Sequence, residues 1–325
     1  MYAPLQGLLA QRLADVRASG LHKQERLIDS AQGSRVRLKD GREALNLCAN
    51  NYLGLAQDPR VVEAACEAIK KYGSGCTGSR LLNGTIKLHV ELEEALADFL
   101  GRDAAILFST GFFANQGALI ALTEDGDAIL CDRENHASII DGCNFAPGKL
   151  IPFRHNSASS LENRLKRLPD EAGRVVILDG VFSMSGDIAA LPEINAAAKR
   201  HHAAMYVDEA HSPGVLGRQG RGAVDHFGLN DKVDVICGSM SKSLASTGGF
   251  VAASREVIEY LRTNSKQTVF SAAISPSQVA CAQASLELMQ SEPQHLEKLW
   301  ANTKKYRAML KSLGLDTWES DTPAV

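Results

Sequence analysis

From Gly101 onward the chain repeats one rhythm: short continuous apolar runs, separated by stretches whose apolar residues recur every three or four positions. The runs are AAILFS from Ala104, DAILC from Asp127, KLIPF from Lys149, RVVILDG from Arg174, AAMYVDEAH from Ala203, VDVICG from Val233 and GGFVAAS from Gly248. A run without polar alternation suits a strand covered on both faces, and the intervening SLENRLKRL and LPEINAAAKRHH suit amphipathic helices. The pattern predicts an α/β fold built on a mainly parallel central sheet with helices on both faces.

Ahead of this region the signals are local. MYAPLQGLLAQRLADVRASG has helical spacing and reads as an N-terminal arm, followed by a short hairpin around Asp40 and Gly41 and an irregular segment through NNYLGL. In DPRVVEAACEAIKKYG, Asp58 caps a helix, Pro59 takes its first position, Gly73 ends it, and Val62, Ala65, Ile69 and Tyr72 are the expected inner stripe. IKLHVELEEALADFLG is a second helix, with Leu88, Leu92, Leu96 and Phe99 on one stripe. The expected organisation is an arm and hairpin over residues 1–54, a large α/β domain over 55–283, and the start of a smaller C-terminal domain over 284–325.

In parallel sheets ligands bind beyond the carboxyl ends of the strands, so the residues that end each run are the candidate site. Those ends read STGFFANQ, DRENHASIIDG, DGVFSMSGD, VDEAHSPGVLG and GSMSKSLASTGG. They bring glycines and hydroxyls, His136 and His211, Asp208 and Lys242 to one edge. A phosphate group wants backbone N–H donors at a helix start and hydroxyl donors, which Gly111, Phe112 and Ser239 can supply. An amine with lowered proton affinity can form a Schiff base, and a carboxylate can keep a pyridine nitrogen protonated. This inventory fits pyridoxal 5′-phosphate.

Competing motifs fail their contexts. GSGCTG from Gly73 matches a dinucleotide-binding pattern but follows a helix, and SMSK from Ser239 lacks the companion motifs of serine acyl-transfer enzymes. The seven cysteines are scattered, odd in number and without C-x-x-C spacing, which argues against a disulfide framework and a metal site. The 325 residues, 45% apolar and 22% charged, give ample material for a buried core. A net charge of −3 gives no footprint for nucleic acid, no run suits a membrane span, and the N-terminus has no signal-peptide core; the expected location is cytoplasmic.

Taken in order, NNYLGL, STGFFANQ, NHASIIDG, DGVFSMSGD, VDEAH with GVLG and GRG, and SMSKSLASTGGF resemble the α-oxoamine synthases, a branch of the fold-type-I pyridoxal-phosphate enzymes. The resemblance runs from about Leu21 to the end of the chain. It implies that Lys242 is the Schiff-base lysine and Asp208 the partner of the pyridine nitrogen. It places His211 near the phenolic oxygen, His136 stacked on the ring, Gly111 and Phe112 on the phosphate, Ser183 on the cofactor and Asn51 on the substrate side. Ser239 replaces a common threonine at a phosphate position. Within the family the Gly73–His89 stretch and SKSLASTGGF are most similar to serine palmitoyltransferases; 8-amino-7-oxononanoate synthase and 2-amino-3-ketobutyrate ligase are the nearest alternatives.

The implied reaction is decarboxylative condensation of an amino acid with an acyl thioester, carried by coenzyme A or an acyl-carrier protein, in a homodimer with shared sites. An aminotransferase and a non-catalytic partner subunit are the remaining readings. Three departures stand out: Pro213 replaces a smaller residue behind His211, Ala272 replaces a threonine that reaches a neighbouring subunit's phosphate (a contact either absent here or supplied by Ser271), and the arginine that grips the substrate carboxylate falls beyond DTWESDTPAV, as expected of a shortened chain.

Overall fold

The computed structural model describes residues 2–318 and 320–324. The chain divides into two compact units, one running to Cys48 and one beginning at Ala49. The first holds a helix, Tyr2–Ala18, whose Leu5, Leu9, Leu13 and Val16 are exposed, and a hairpin of β1 (Arg35–Arg37) and β2 (Glu43–Leu45). Arg35 pairs with Leu45 and Arg37 with Glu43, and the turn closes through Gly41, at φ 85°, where a side chain would be strained.

The second unit carries seven strands: β3 (Ala104–Phe108), β4 (Ala128–Asp132), β5 (Lys149–Phe153), β6 (Arg174–Asp179), β7 (Ala204–Asp208), β8 (Val235–Ser239) and β9 (Gly249–Ala253). Each falls on one of the seven apolar runs, β4 and β8 reaching one residue past theirs. Their order across the sheet is β3-β9-β8-β7-β6-β4-β5. β9 is antiparallel to both β3 and β8, while β4, β5, β6, β7 and β8 pair in parallel. The sheet is mainly parallel, as expected, with one reversed strand that apolar patterning does not distinguish.

Successive strand residues serve two cores. Leu107, Leu130, Leu178, Val207 and Phe250 belong to one, and Ile106, Ile129, Ile177, Tyr206 and Val251 to the other. A period of two with apolar residues on both faces is why the runs show no polar alternation.

The helix Lys87–Leu100 buries Leu92, Leu96 and Phe99 as expected, with Leu88 partly buried against the same core. The helix Pro59–Tyr72 has its expected Asp58 cap, Pro59 start and Gly73 stop, but its inner face is turned from the expected stripe. Val61 and Ala68 are buried while Val62 and Ile69 are exposed. Cys281 of the helix Pro276–Ser291 lies against the Val61 carbonyl, so the smaller residues of this face seat the two helices together.

Candidate active site

The carboxyl ends of the strands open onto a cavity of about 300 Å³. Seven of the nine sequence-derived site residues line it: Gly111, Phe112, His136, Asp208, His211, Ser239 and Lys242. Two, Ser183 and Asn51, lie outside its lining. Ser183 is exposed beside Met184 in the loop after β6, and Asn51 turns back onto its own chain, its side-chain oxygen accepting from the Ala56 N–H at 3.4 Å.

Lys242 sits in the tight connection between the antiparallel β8 and β9. The Met240 N–H donates to the Gly248 carbonyl and the Ser246 N–H to the Met240 carbonyl, both at 3.0 Å, closing the loop around the lysine. Gly248 has φ 136°, and a Cβ there would stand 2.2 Å from the Met240 methyl. Ala245, at φ 48°, takes a left-handed conformation three residues after the lysine, a strained geometry for a residue with a side chain. The small residues of this stretch are thus required by the turn. Among the described residues no carboxylate pairs with the half-buried Lys242 amine, and burial lowers its proton affinity against the opposing pull of Asp208 and Asp179.

Asp208 ends β7 and Asp179 ends the adjacent β6, in register with each other. Asp208 is held by the Asn115 side-chain amide at 2.6 Å and the Ala210 N–H at 2.7 Å. Burial first, and the neighbouring Asp208 charge second, push the Asp179 carboxyl well above its usual range. Asp179 also accepts the His136 N–H at 2.8 Å, which ties the imidazole's backbone to the sheet. The His136 ring stays exposed and pairs through Nδ1 with Ser138 Oγ at 2.7 Å.

His211 is buried beside Tyr52, whose hydroxyl lies 2.8 Å from its Nδ1. Burial, followed by the nearby Lys242 and His136 charges, brings the His211 imidazole down to about 3, and burial takes the Tyr52 phenol up to about 12. Both are therefore uncharged at neutral pH. Pro213, the unusual residue behind His211, is accommodated: its carbonyl accepts from Ser243 Oγ at 2.6 Å.

The far wall is the start of the helix Gly111–Leu122. Thr110 caps it by accepting the Phe113 N–H at 3.0 Å, while Gly111 and Phe112, its first two residues, border the cavity. A Cβ on Gly111 would meet Ser239 Cβ at 2.9 Å, and one on Gly249 would meet Gly111 Cα at 2.5 Å. Strand end and helix start touch through glycines because nothing larger fits. Free N–H groups at a helix start beside Ser239 and Ser241 hydroxyls form an anion cradle.

Pyridoxal phosphate fits this set: an amine without a carboxylate partner among the described residues, a hydrogen-bonded carboxylate, an exposed imidazole and a phosphate cradle share one cavity. Sequence reasoning missed Asn115, Ser138, Asp179, Tyr52, Thr110 and Ser241. Asp179 was legible, since it ends a strand as Asp208 does. Asn115 gives no such signal from inside a helix. It nonetheless joins the site, donating to Ser138 Oγ at 2.9 Å and accepting from the Tyr206 hydroxyl at 3.1 Å.

Residues 42–325 match the model of the family described as aminotransferase class I and II. The chain belongs to this family. Within it, the chain is 46% identical over 323 residues to a serine palmitoyltransferase of Sphingobacterium spiritivorum, covering 98% of this chain and 81% of that protein. It is 42% identical to an 8-amino-7-oxononanoate synthase of Thermosipho melanesiensis, covering 97% and 81%. A solved serine palmitoyltransferase variant from S. paucimobilis, carrying a PLP–myriocin aldimine, superposes with a TM-score of 0.91 at 38% identity, over 98% of this chain and 81% of that one. The family assignment agrees with the α-oxoamine synthase resemblance and with pyridoxal phosphate as the cofactor.

Proposed function

We propose that this protein condenses an amino acid (serine, alanine or glycine) with an acyl thioester, with loss of carbon dioxide, in the manner of a serine palmitoyltransferase. The observation that carries the reading is that Lys242, without a carboxylate partner among the described residues, shares one cavity with Asp208 and the Gly111 helix start. Bound pyridoxal phosphate supplies an electron sink for a carbanion at the amino acid's α-carbon. Lys242 is placed to take and return the α-proton at Nζ, and its lowered proton affinity suits a base. With the cofactor bound, Asp208 would pair with the ring nitrogen, His136 would cover the ring, neutral His211 would stand by the phenolic oxygen, and Gly111, Phe112 and Ser239 would hold the phosphate.

The test is carbon dioxide release from a panel of the three amino acids with short and long acyl thioesters. Release that needs both substrates supports the reading. Amino-group transfer without release would make the protein an aminotransferase. The 8-amino-7-oxononanoate synthase relatives favour a second reading in which only the substrate pair differs, and the same panel separates the two. On the same reading the protein is a cytoplasmic homodimer with its sites at the subunit interface, checked by sedimentation. Residues 55–283 form the cofactor domain and 284–325 open the smaller one. Among the described residues no helix is long and apolar enough to cross a membrane.

A further inference from the structure

The hydrogen bonds behind His136 run in one direction. The buried Tyr206 hydroxyl donates to Asn115 Oδ1 at 3.1 Å, and Asn115 Nδ2 donates to Asp208 Oδ2 at 2.6 Å. An amide nitrogen set against a carboxylate, with its oxygen set against a hydroxyl, has one orientation. The same Nδ2 reaches Ser138 Oγ at 2.9 Å, so the Ser138 hydroxyl accepts there and keeps its own proton to give. Its remaining partner among the described residues is His136 Nδ1, at 2.7 Å.

Nδ1 has a second neighbour whose direction is fixed. The His136 ring caps the helix Ala137–Phe145, and the Ser138 backbone N–H donates to Nδ1 at 3.2 Å. A proton on Nδ1 would confront that N–H at the positive end of the helix, and would leave the buried Ser138 hydroxyl without an acceptor. An uncharged imidazole with Nδ1 unprotonated carries its proton on Nε2. Nε2 has no hydrogen-bond partner among the described residues, and the ring lines the Lys242 cavity.

We propose that Ser138 is a positioning residue: its hydroxyl and backbone N–H, the former oriented by Asn115, hold His136 in the Nε2–H tautomer, so the ring offers the cavity a donor and no acceptor. One asparagine amide thereby sets both the carboxylate that ends β7 and the imidazole that follows β4. The consequence for turnover rests on the condensation reading above: an amino acid in the cavity meets an N–H where the other tautomer would present a lone pair.

The experiment uses the full chain, isotope-labelled at the histidine ring nitrogens, with and without pyridoxal phosphate, at about pH 8.5, where an ordinary imidazole of pKa about 6.5 is uncharged. Long-range proton–nitrogen spectra tell a protonated ring nitrogen from an unprotonated one, and loss of signals in His136→Asn assigns them. The expected result is one tautomer, protonated on Nε2, in the unaltered protein, a mixture with a measurable Nδ1–H share in Ser138→Ala, and recovery in Ser138→Thr, which keeps the hydroxyl. The amino-acid dissociation constant of the holoenzyme, read by absorbance, is expected to rise about threefold or more in Ser138→Ala, the scale of one hydrogen bond, and to recover in Ser138→Thr. Nδ1–H as the main form in the unaltered protein overturns the proposal whether or not the variants fold. A Ser138→Ala spectrum identical to that of the unaltered protein overturns it too, and an unchanged dissociation constant removes the positioning role. Because the tautomer is read without substrate, an Nε2–H ring in a protein that condenses nothing keeps the tautomer assignment and sinks the condensation reading instead.

Discussion

At the scale of single residues, the site depends on a few buried polar groups that share partners. Asn115 satisfies Asp208, Ser138 and Tyr206 at once, so Asn115→Ala removes the partner of one oxygen of the buried Asp208 carboxylate, whose other oxygen keeps the Ala210 N–H, and the acceptor of the buried Tyr206 hydroxyl. An unmade buried hydrogen bond costs about 1–3 kcal/mol, and a loss of that order is expected in urea unfolding of the cofactor-free protein; a change below about 0.5 kcal/mol would show the network to be incidental. Two neighbours pull stability with pH in opposite directions. His211 binds a proton near pH 3 when folded and near 6.5 when unfolded, so its contribution is full above 6.5 and is lost as pH falls. Burial raises Glu209 from 4.5 to about 7, so its contribution is present below 4.5 and is lost as pH rises through 7. Between pH 4.5 and 6.5 the two oppose each other. His211→Asn is expected to make stability fall more steeply with rising pH there, and Glu209→Gln to make it fall less. Denaturant melts of both variants at intervals across the window decide it, and parallel pH profiles would contradict the assignment.

At the scale of elements, the decisive feature is how closely β9 approaches the helix Gly111–Leu122. Gly249→Ala puts a methyl group 2.5 Å from Gly111 Cα, 2.7 Å from its nitrogen and 2.7 Å from the Thr110 carbonyl, all backbone atoms that cannot swing aside. The helix start must shift, and with it the phosphate cradle. At least tenfold weaker pyridoxal phosphate binding, by absorbance titration, is the expected result; unchanged affinity would mean that the cradle tolerates the displacement. This contact also marks where the sequence stops being legible. The seven strands and the edge that carries Lys242, Asp208 and both histidines follow from apolar runs and their last residues. The reversed direction of β9 and its place between β3 and β8 follow from hydrogen bonds between segments far apart in the chain. Tyr52, which reaches His211, is hidden for the same reason, and the inner face of the helix Pro59–Tyr72 was set by a partner helix instead of by its largest residues.

At the scale of the whole molecule, the cavity is assembled from residues between Thr110 and Gly248, so its ligand links most of the sheet. Pyridoxal phosphate at one hundred times its dissociation constant is expected to stabilise the fold by about 2.7 kcal/mol, seen as a raised Tm, with a smaller rise in Lys242→Ala, where only the non-covalent contacts remain. An unchanged Tm in the unaltered protein would show that the ligand binds elsewhere. The position of β9 has a consequence for synthesis. β3, with its helix and the first half of the cavity, leaves the ribosome with its inner edge unpaired, and that edge is filled only when Gly249–Ala253 emerges. At about 5–20 residues per second the wait is on the order of ten seconds, during which an open strand edge is exposed to other nascent chains. Chaperone crosslinking to arrested chains is therefore expected to drop sharply once β9 has cleared the exit tunnel.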